Sequence, residues 1–283
     1  MIKHILFPFD FSPQGSQVAP FVAALARRCG ARVTLFSVVA PTWEPLPEGM
    51  PALAGDTPSE WKLSLKAQLD RALTAEFQGV TVECVADAGD ASIRITAFAE
   101  GGADLIMMPT RGLGRFRNLL VGSVTAKLLH NAKCPVWTAA HAETQRSPGL
   151  PRTILCAVDD TKRTPALLKW AAAFSAEVGG TLKLLHVVGS VSDWLSIASE
   201  RALQEQVRQE AQGRIESMQR ATGIDAPLRV AVGEVVPTVS SEARQEDADL
   251  LVIGRGAVSE AFGRLRTHAF GIIQRSPCPV LSV

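Results

Sequence analysis

Ile2 to Phe7 is a short, mainly apolar run that stops at Pro8, the pattern of a buried strand. Apolar positions then recur at helical spacing. Val18, Phe21, Val22, Leu25 and Ala26 mark one face of a helix expected from about Gln14 to Arg28, with Gly30 as its C-cap. Arg32 to Val38, rich in β-branched residues, predicts a second strand. A loop carrying Pro41, Pro45, Pro47 and Pro51 follows. Thr57-Pro58-Ser59-Glu60 closes it with an N-cap, a proline at the first helical position and the glutamate of a capping box, opening a helix expected to reach about Glu76. Next come a strand at Thr81 to Val85, a helix at Ala91 to Glu100 and a strand at Leu105 to Met108. Ser123 opens a helix to His130, and Val136 to Thr138 predicts the last strand.

Strands that read as continuous apolar runs, alternating with helices, imply a parallel sheet covered on both faces. Right-handed crossovers bring the loops after the strands to one sheet edge. Ligands of such doubly wound α/β folds bind at that edge, where strand order reverses, so the loops after the first and fourth strands are the candidates.

The pattern is written twice. Ile5-Leu6, Asp10, Ala23-Ala24, Gly30, Leu35 and Val38-Val39 return 149 positions later as Ile154-Leu155, Asp159, Ala172-Ala173, Gly179, Leu184 and Val187-Val188. Ala103-Asp104-Leu105 returns as Ala248-Asp249-Leu250, and Cys134-Pro135-Val136 as Cys278-Pro279-Val280. Two tandem five-stranded domains are therefore expected, at 1–141 and 151–283, with Ala139 to Pro151 as the linker. The last strand of each half is an edge candidate, which suggests that the halves pair within the chain as two subunits would; a homodimer is a further option.

Composition narrows the function classes. A net charge of +1 over 283 residues argues against a general nucleic-acid binder. The five cysteines show no CxxC and no metal-ligand spacing with histidine, and the two Cys-Pro pairs, at equivalent repeat positions, read as buried core thiols. The first ten residues, broken by Lys3, His4 and Asp10, do not resemble a signal peptide, and no apolar run is long enough to span a bilayer. A cytoplasmic protein without membrane contact is the expectation.

Between the landmarks of the first half, Pro109-Thr110-Arg111-Gly112 is followed, after nine intervening residues, by Gly122-Ser123. The loop begins at a strand end and finishes at a helix start. Glycine admits close backbone approach, the helix N-terminus offers unpaired N–H groups, and Ser123 adds a hydroxyl. Arg111, Arg115 and Arg117 make the loop basic. Asp10, just past the first strand, has two readings: a carboxylate that accepts from a base or ribose, or a cap for the following helix, a task Ser12 can take instead.

The Pro8-Phe9-Asp10-Phe11-Ser12 segment, the loop ending in Gly122-Ser123-Val124 and the closing Cys134-Pro135-Val136 resemble the universal stress protein family in its ATP-binding branch. The resemblance covers both halves and implies Rossmann-like domains of the adenine-nucleotide-binding type. By that resemblance Asp10 and the backbone at Val38 face the adenine, while Gly112, Gly122 and Ser123 hold the phosphates of ATP, with any Mg²⁺ carried by those phosphates. Thr110, Arg111 and Val124 complete the candidate set. One departure stands out: the first glycine of the family loop is here Pro109, which has no N–H to offer.

In the second half Asp159 and Val187 match Asp10 and Val38, but Arg266-Thr267 replaces Gly122-Ser123. Three readings are open: Arg264 and Arg266 occupy the pocket by pairing with Asp159 or Asp160, they bind another anion, or the repeat is kept for its shape. One nucleotide per chain follows. His186 reads as core, His130 as a helix-end histidine, and Trp43 and Trp61 as anchors of the proline-rich loop. Arg201 with Glu205, Glu210 with Arg214 and Glu216 with Arg220 fall at i,i+4 on a solvated helix. With no P-loop lysine and no kinase signature, a regulatory stress-response binder is expected rather than an enzyme. An interaction module and a slow ATPase are the alternatives.

Overall fold

A computed structural model describes residues 1–39, 57–110, 121–139, 149–189, 197–255 and 264–283, with side chains of 197–201 and 264–267 excluded. The proline-rich loop with Trp43, most of the linker, and Arg111, Gly112, Arg115 and Arg117 lie outside the described residues. So do the side chains of Arg201, Arg264, Arg266 and Thr267. The chain falls into two compact units, Met1–Leu150 and Pro151–Val283.

The N-terminal unit runs β1 (His4–Pro8), α1 (Pro13–Cys29), β2 (Arg32–Val39), α2 (Pro58–Leu69), β3 (Val82–Ala88), α3 (Ala91–Glu100), β4 (Leu105–Pro109), α4 (Ser123–Asn131) and β5 (Val136–Ala139). Its strands are parallel in the order β3-β2-β1-β4-β5. The chain therefore winds outward from β1 to β3, returns, and continues on the far side, so the reversal lies between β1 and β4. All five residues of β1 and of β4 are buried, His4 at the start of β1 included.

The C-terminal unit repeats the scheme with β6 (Thr153–Val158), α5 (Thr164–Val178), β7 (Thr181–Val188), α6 (Ile197–Thr222), β8 (Leu228–Val232), α7 (Val235–Gln245), β9 (Leu250–Ile253), α8 (Arg264–Arg275) and β10 (Val280–Ser282). Its order is β8-β7-β6-β9-β10. The repeated landmarks now have physical reasons. Asp104 Oδ2 accepts from the N–H groups of Lys3 at 2.8 Å and His4 at 2.9 Å, tying the start of β4 to the start of β1. Asp249 does the same for Arg152 at 2.9 Å and Thr153 at 3.0 Å. Gly30 and Gly179 end α1 and α5 with φ of 61° and 77°, a left-handed turn that a side chain would oppose.

Two sequence expectations need correction. The helix expected to reach Glu76 ends at Leu69, and Leu73 with φ 54° lies in a conformation that no helix continues through. Arg214 does not pair with Glu210 along α6; its guanidinium bonds Asp160 in the loop after β6, and Glu210 accepts from Gln206 at 3.0 Å. All five cysteines are free; Cys278 is buried but Cys134 only partly so. No helix among the described residues is long and apolar enough to cross a membrane.

Candidate functional site

The loops after β1 and β4 meet at a cleft of about 140 Å³, walled by Asp10, Val38, Pro109, Gly122, Ser123 and Val124, with Ala91 and Ile95 of α3 closing one side. Five of the residues singled out in the sequence therefore share one surface. Thr110 is set otherwise. It is buried, its N–H donates to the Ala139 carbonyl at 2.9 Å, and its hydroxyl donates to the same oxygen. Its own carbonyl accepts from Gly122 N–H at 2.9 Å and from the Thr125 hydroxyl at 3.3 Å. Thr110 thus clamps the end of β4 to the start of α4.

The loop after β1 gives the capping role to Ser12 rather than Asp10. Ser12 is the N-cap of α1, fully buried, with Oγ accepting from Gly15 N–H at 3.0 Å. Asp10 Oδ1 accepts from Ser12 N–H at 3.1 Å, which bends the loop and holds the half-buried carboxylate on the cleft wall. Between them Phe11 has φ 60°, rare for a residue with a side chain. Its ring packs on Phe9, 4.9 Å between centroids, and Phe9 in turn lies over Gly15, where a Cβ would come within 2.9 Å of it. Such a turn leaves no mark in the residue pattern.

Helix starts give the cleft its electrostatics. Ser12 caps α1, Thr57 and Glu60 cap α2 in a full capping box, and Asp90 caps α3 by accepting from Ile93 N–H at 3.1 Å. Helix α4 begins at Gly122, in extended backbone, and has no side-chain cap. Ser123, expected as N-cap or first-turn residue, is the first helical residue and is exposed. The first turn of α4, Ser123 to Thr125, lines the cleft and brings the positive end of the helix dipole to it. Asp90, the N-cap of α3, directly precedes Ala91 of the cleft wall. The Ser92 hydroxyl and the Ile93 N–H hold its carboxyl down to about 2, and Lys127 of α4 lies 3.2 Å from its Oδ2. The loop carrying Asp90 went unremarked in the sequence, although the repeat marks it: Gly89-Asp90 returns as Gly233-Glu234. Both glycines have positive φ, 138° and 145°.

Pro109 departs from a glycine, and Gly254 occupies its place in the second half. Gly254 has no positive φ, and a Cβ there would meet Leu167 at an ordinary 3.4 Å. The backbone at this place does not demand glycine, so Pro109 is accommodated.

In the C-terminal unit, Asp159 Oδ1 accepts from the hydroxyls of Thr161 at 2.9 Å and Thr164 at 3.0 Å. Asp160 is held by Arg214 of α6. His186 is buried, with Nδ1 2.8 Å from the Val158 carbonyl. A hollow of about 490 Å³ also lies in this unit, lined by Glu216, Arg220 and Asp225 between the end of α6 and the start of β8. It is larger than the cleft, but it sits at the amino ends of the strands, where a helix C-terminus and carboxylates disfavour an anion. Among the described residues no group of three His, Cys, Asp or Glu side chains is placed to hold a metal.

Both halves match the same family model, described as the universal stress protein family, over residues 1–139 and 151–283. The universal stress protein Sll1654 of Synechocystis sp. is 34% identical over 137 residues, 48% of this chain and 84% of that protein. A universal stress protein of Thermus aquaticus is 34% identical over 145 residues, 48% of this chain and 97% of its own length. A crystal structure of a universal stress protein from Archaeoglobus fulgidus covers 99% of this chain and 95% of that one, with a TM-score of 0.67 at 23% identity. A structure of a universal stress protein from Pseudomonas aeruginosa gives 0.65 at 18%, over 100% and 93%. At these identities the structures establish a shared fold.

Proposed function

Because the chain belongs to the universal stress protein family, with one family domain in each half, we propose that it binds ATP at the cleft of its N-terminal unit and acts as a regulatory, stress-response protein. The observation that carries this reading is the contrast among helix starts: among the described residues of this unit, α4, whose start lines the cleft, is the one helix without a side-chain cap. An uncapped helix start beside a cleft suits a phosphate chain. Asp10 and Val38 line the same cleft and, in this reading, meet the adenine and ribose, Val38 through its backbone. Thr110 supports the site by fixing the α4 start, and Arg111 and Gly112 belong to the same loop. Mg²⁺ enters as a counterion of the phosphates.

Micromolar affinity requires about 8 kcal/mol, within reach of several charge-assisted N–H contacts and burial of a base. We read the protein as holding nucleotide rather than turning it over. The second half, with Arg266-Thr267 at the helix start and Asp159 and Asp160 already engaged, is read as the silent copy. Calorimetric titration of the full chain with ATP tests the reading. We expect one ATP per chain, and loss of at least tenfold in affinity for Gly122→Lys, whose side chain enters the phosphate space. Undiminished binding by that variant overturns the site; no binding by the wild type leaves an interaction module.

A further inference from the structure

Resting on the nucleotide reading above, we propose that Lys127 is a further phosphate-binding residue of the cleft and that Asp90 competes with the nucleotide for it. Lys127 lies one turn beyond Ser123 on α4, so the two share a helix face. Side chains on a helix lean toward its N-terminus, which carries the Lys127 ammonium back toward the first-turn N–H groups. There it meets Asp90 Oδ2 at 3.2 Å, an ion pair joining the start of α3 to α4 beside the cleft. Both side chains are about half exposed, 55% and 44%, so the pair is readily exchanged.

Among the described residues, the neighbouring cations are committed elsewhere. Arg94 and Lys62 lie on Asp87, at 3.6 and 2.6 Å, and Lys133 lies on Glu100 at 2.9 Å. Among the described residues of α4, Lys127 is the cation within reach of the helix start. Asp90 carries a full negative charge at neutral pH and directly precedes Ala91, which lines the cleft. A triphosphate outbids a single carboxylate for an ammonium, because it offers more charge and more acceptor oxygens. Binding would therefore move Lys127 from Asp90 to the phosphates and release the link between α3 and α4. No bond is made or broken in this exchange.

The exchange predicts effects of opposite sign from the two partners of one ion pair. Lys127→Gln removes the phosphate partner and should weaken ATP binding roughly three- to tenfold. Asp90→Asn keeps the oxygen that accepts from Ile93 N–H, so α3 stays capped, while it frees Lys127 and removes a repelling charge. It should tighten ATP binding by a similar factor. Both effects should shrink from ATP to AMP, vanish for adenosine, and fall with added salt. Circular-dichroism melting of each variant checks the fold independently.

Calorimetry of the full-length chain and both variants with ATP, AMP and adenosine decides the matter. Wild-type binding with both variants unchanged, or both weakened, overturns the role of Lys127 and leaves the site intact. Equal effects on ATP and adenosine make the pair structural and overturn it too. No ATP binding by the wild type overturns the nucleotide reading, and this inference with it.

Discussion

His4 shows how a buried titratable residue is made neutral by its surroundings. Its Nε2 lies 2.8 Å from the Thr34 hydroxyl and its Nδ1 3.1 Å from the Gly102 carbonyl, so an uncharged ring satisfies both. Burial, aided by the nearby Arg32 charge, lowers its pKa below the ordinary 6.5 against the pull of the Gly102 bond. As pH falls through 6.5 the unfolded chain takes up a proton that the folded ring refuses. The stability it confers is thus complete above 6.5 and is lost as pH falls through the lowered folded value. Urea midpoints taken from pH 8 to 5 should decline in the wild type and decline less in His4→Gln; equal slopes would refute the assignment. Neither His4 nor Asp104 was legible as an anchor in the sequence. Their partners lie 30 and about 100 positions away, beyond any local pattern. Asp10 was legible as a choice between two roles, and the neighbouring Ser12 settled which one caps the helix.

At the scale of elements, helix starts and stops follow from local chemistry wherever that chemistry is complete. The capping box at Thr57 and the left-handed glycine at Gly30 were both readable and both stand. The end of α2 was not, because Leu73 turns left-handed with no glycine to announce it. Helix α4 is the informative exception. Its N-cap residue Gly122 has φ −65° and ψ 152°, a conformation open to any residue, so geometry does not forbid a capping side chain. Gly122→Asp should therefore cap α4 and raise stability by a few tenths of a kcal/mol. The same carboxylate would repel a phosphate and abolish ATP binding. Chemical denaturation paired with calorimetry tests this; a destabilised protein, or one that keeps its affinity, would contradict it.

At the scale of the whole molecule, the duplication and the order of elements were legible because the central strands are largely apolar and each half repeats the other. The asymmetry between halves was legible only at Arg266-Thr267. Arg214, which reaches from α6 to Asp160, looked like one member of a helical charge ladder until the fold brought the two together. One of the three readings paired the arginines at the start of α8 with Asp159 or Asp160; among the described residues Asp160 already has a partner in Arg214. In the reading proposed here, stabilisation by nucleotide comes from one unit. ATP at a thousand times its dissociation constant should lower the free energy of the folded state by about 4 kcal/mol. A thermal-shift titration should then show a large rise in melting temperature for the wild type and none for Gly122→Lys.

That rise gives the bare start of α4 a meaning beyond recognition. If ATP completes the first turn of α4 as proposed, the persistence of the folded chain would be tied to the supply of that ligand. In a cell rich in ATP the population of unfolded molecules would drop about a thousandfold, and degradation would slow with it. When ATP runs down the same molecules would open more often and be cleared sooner. The protein's own abundance would then serve as a slow gauge of the energy state, with no partner needed to read it.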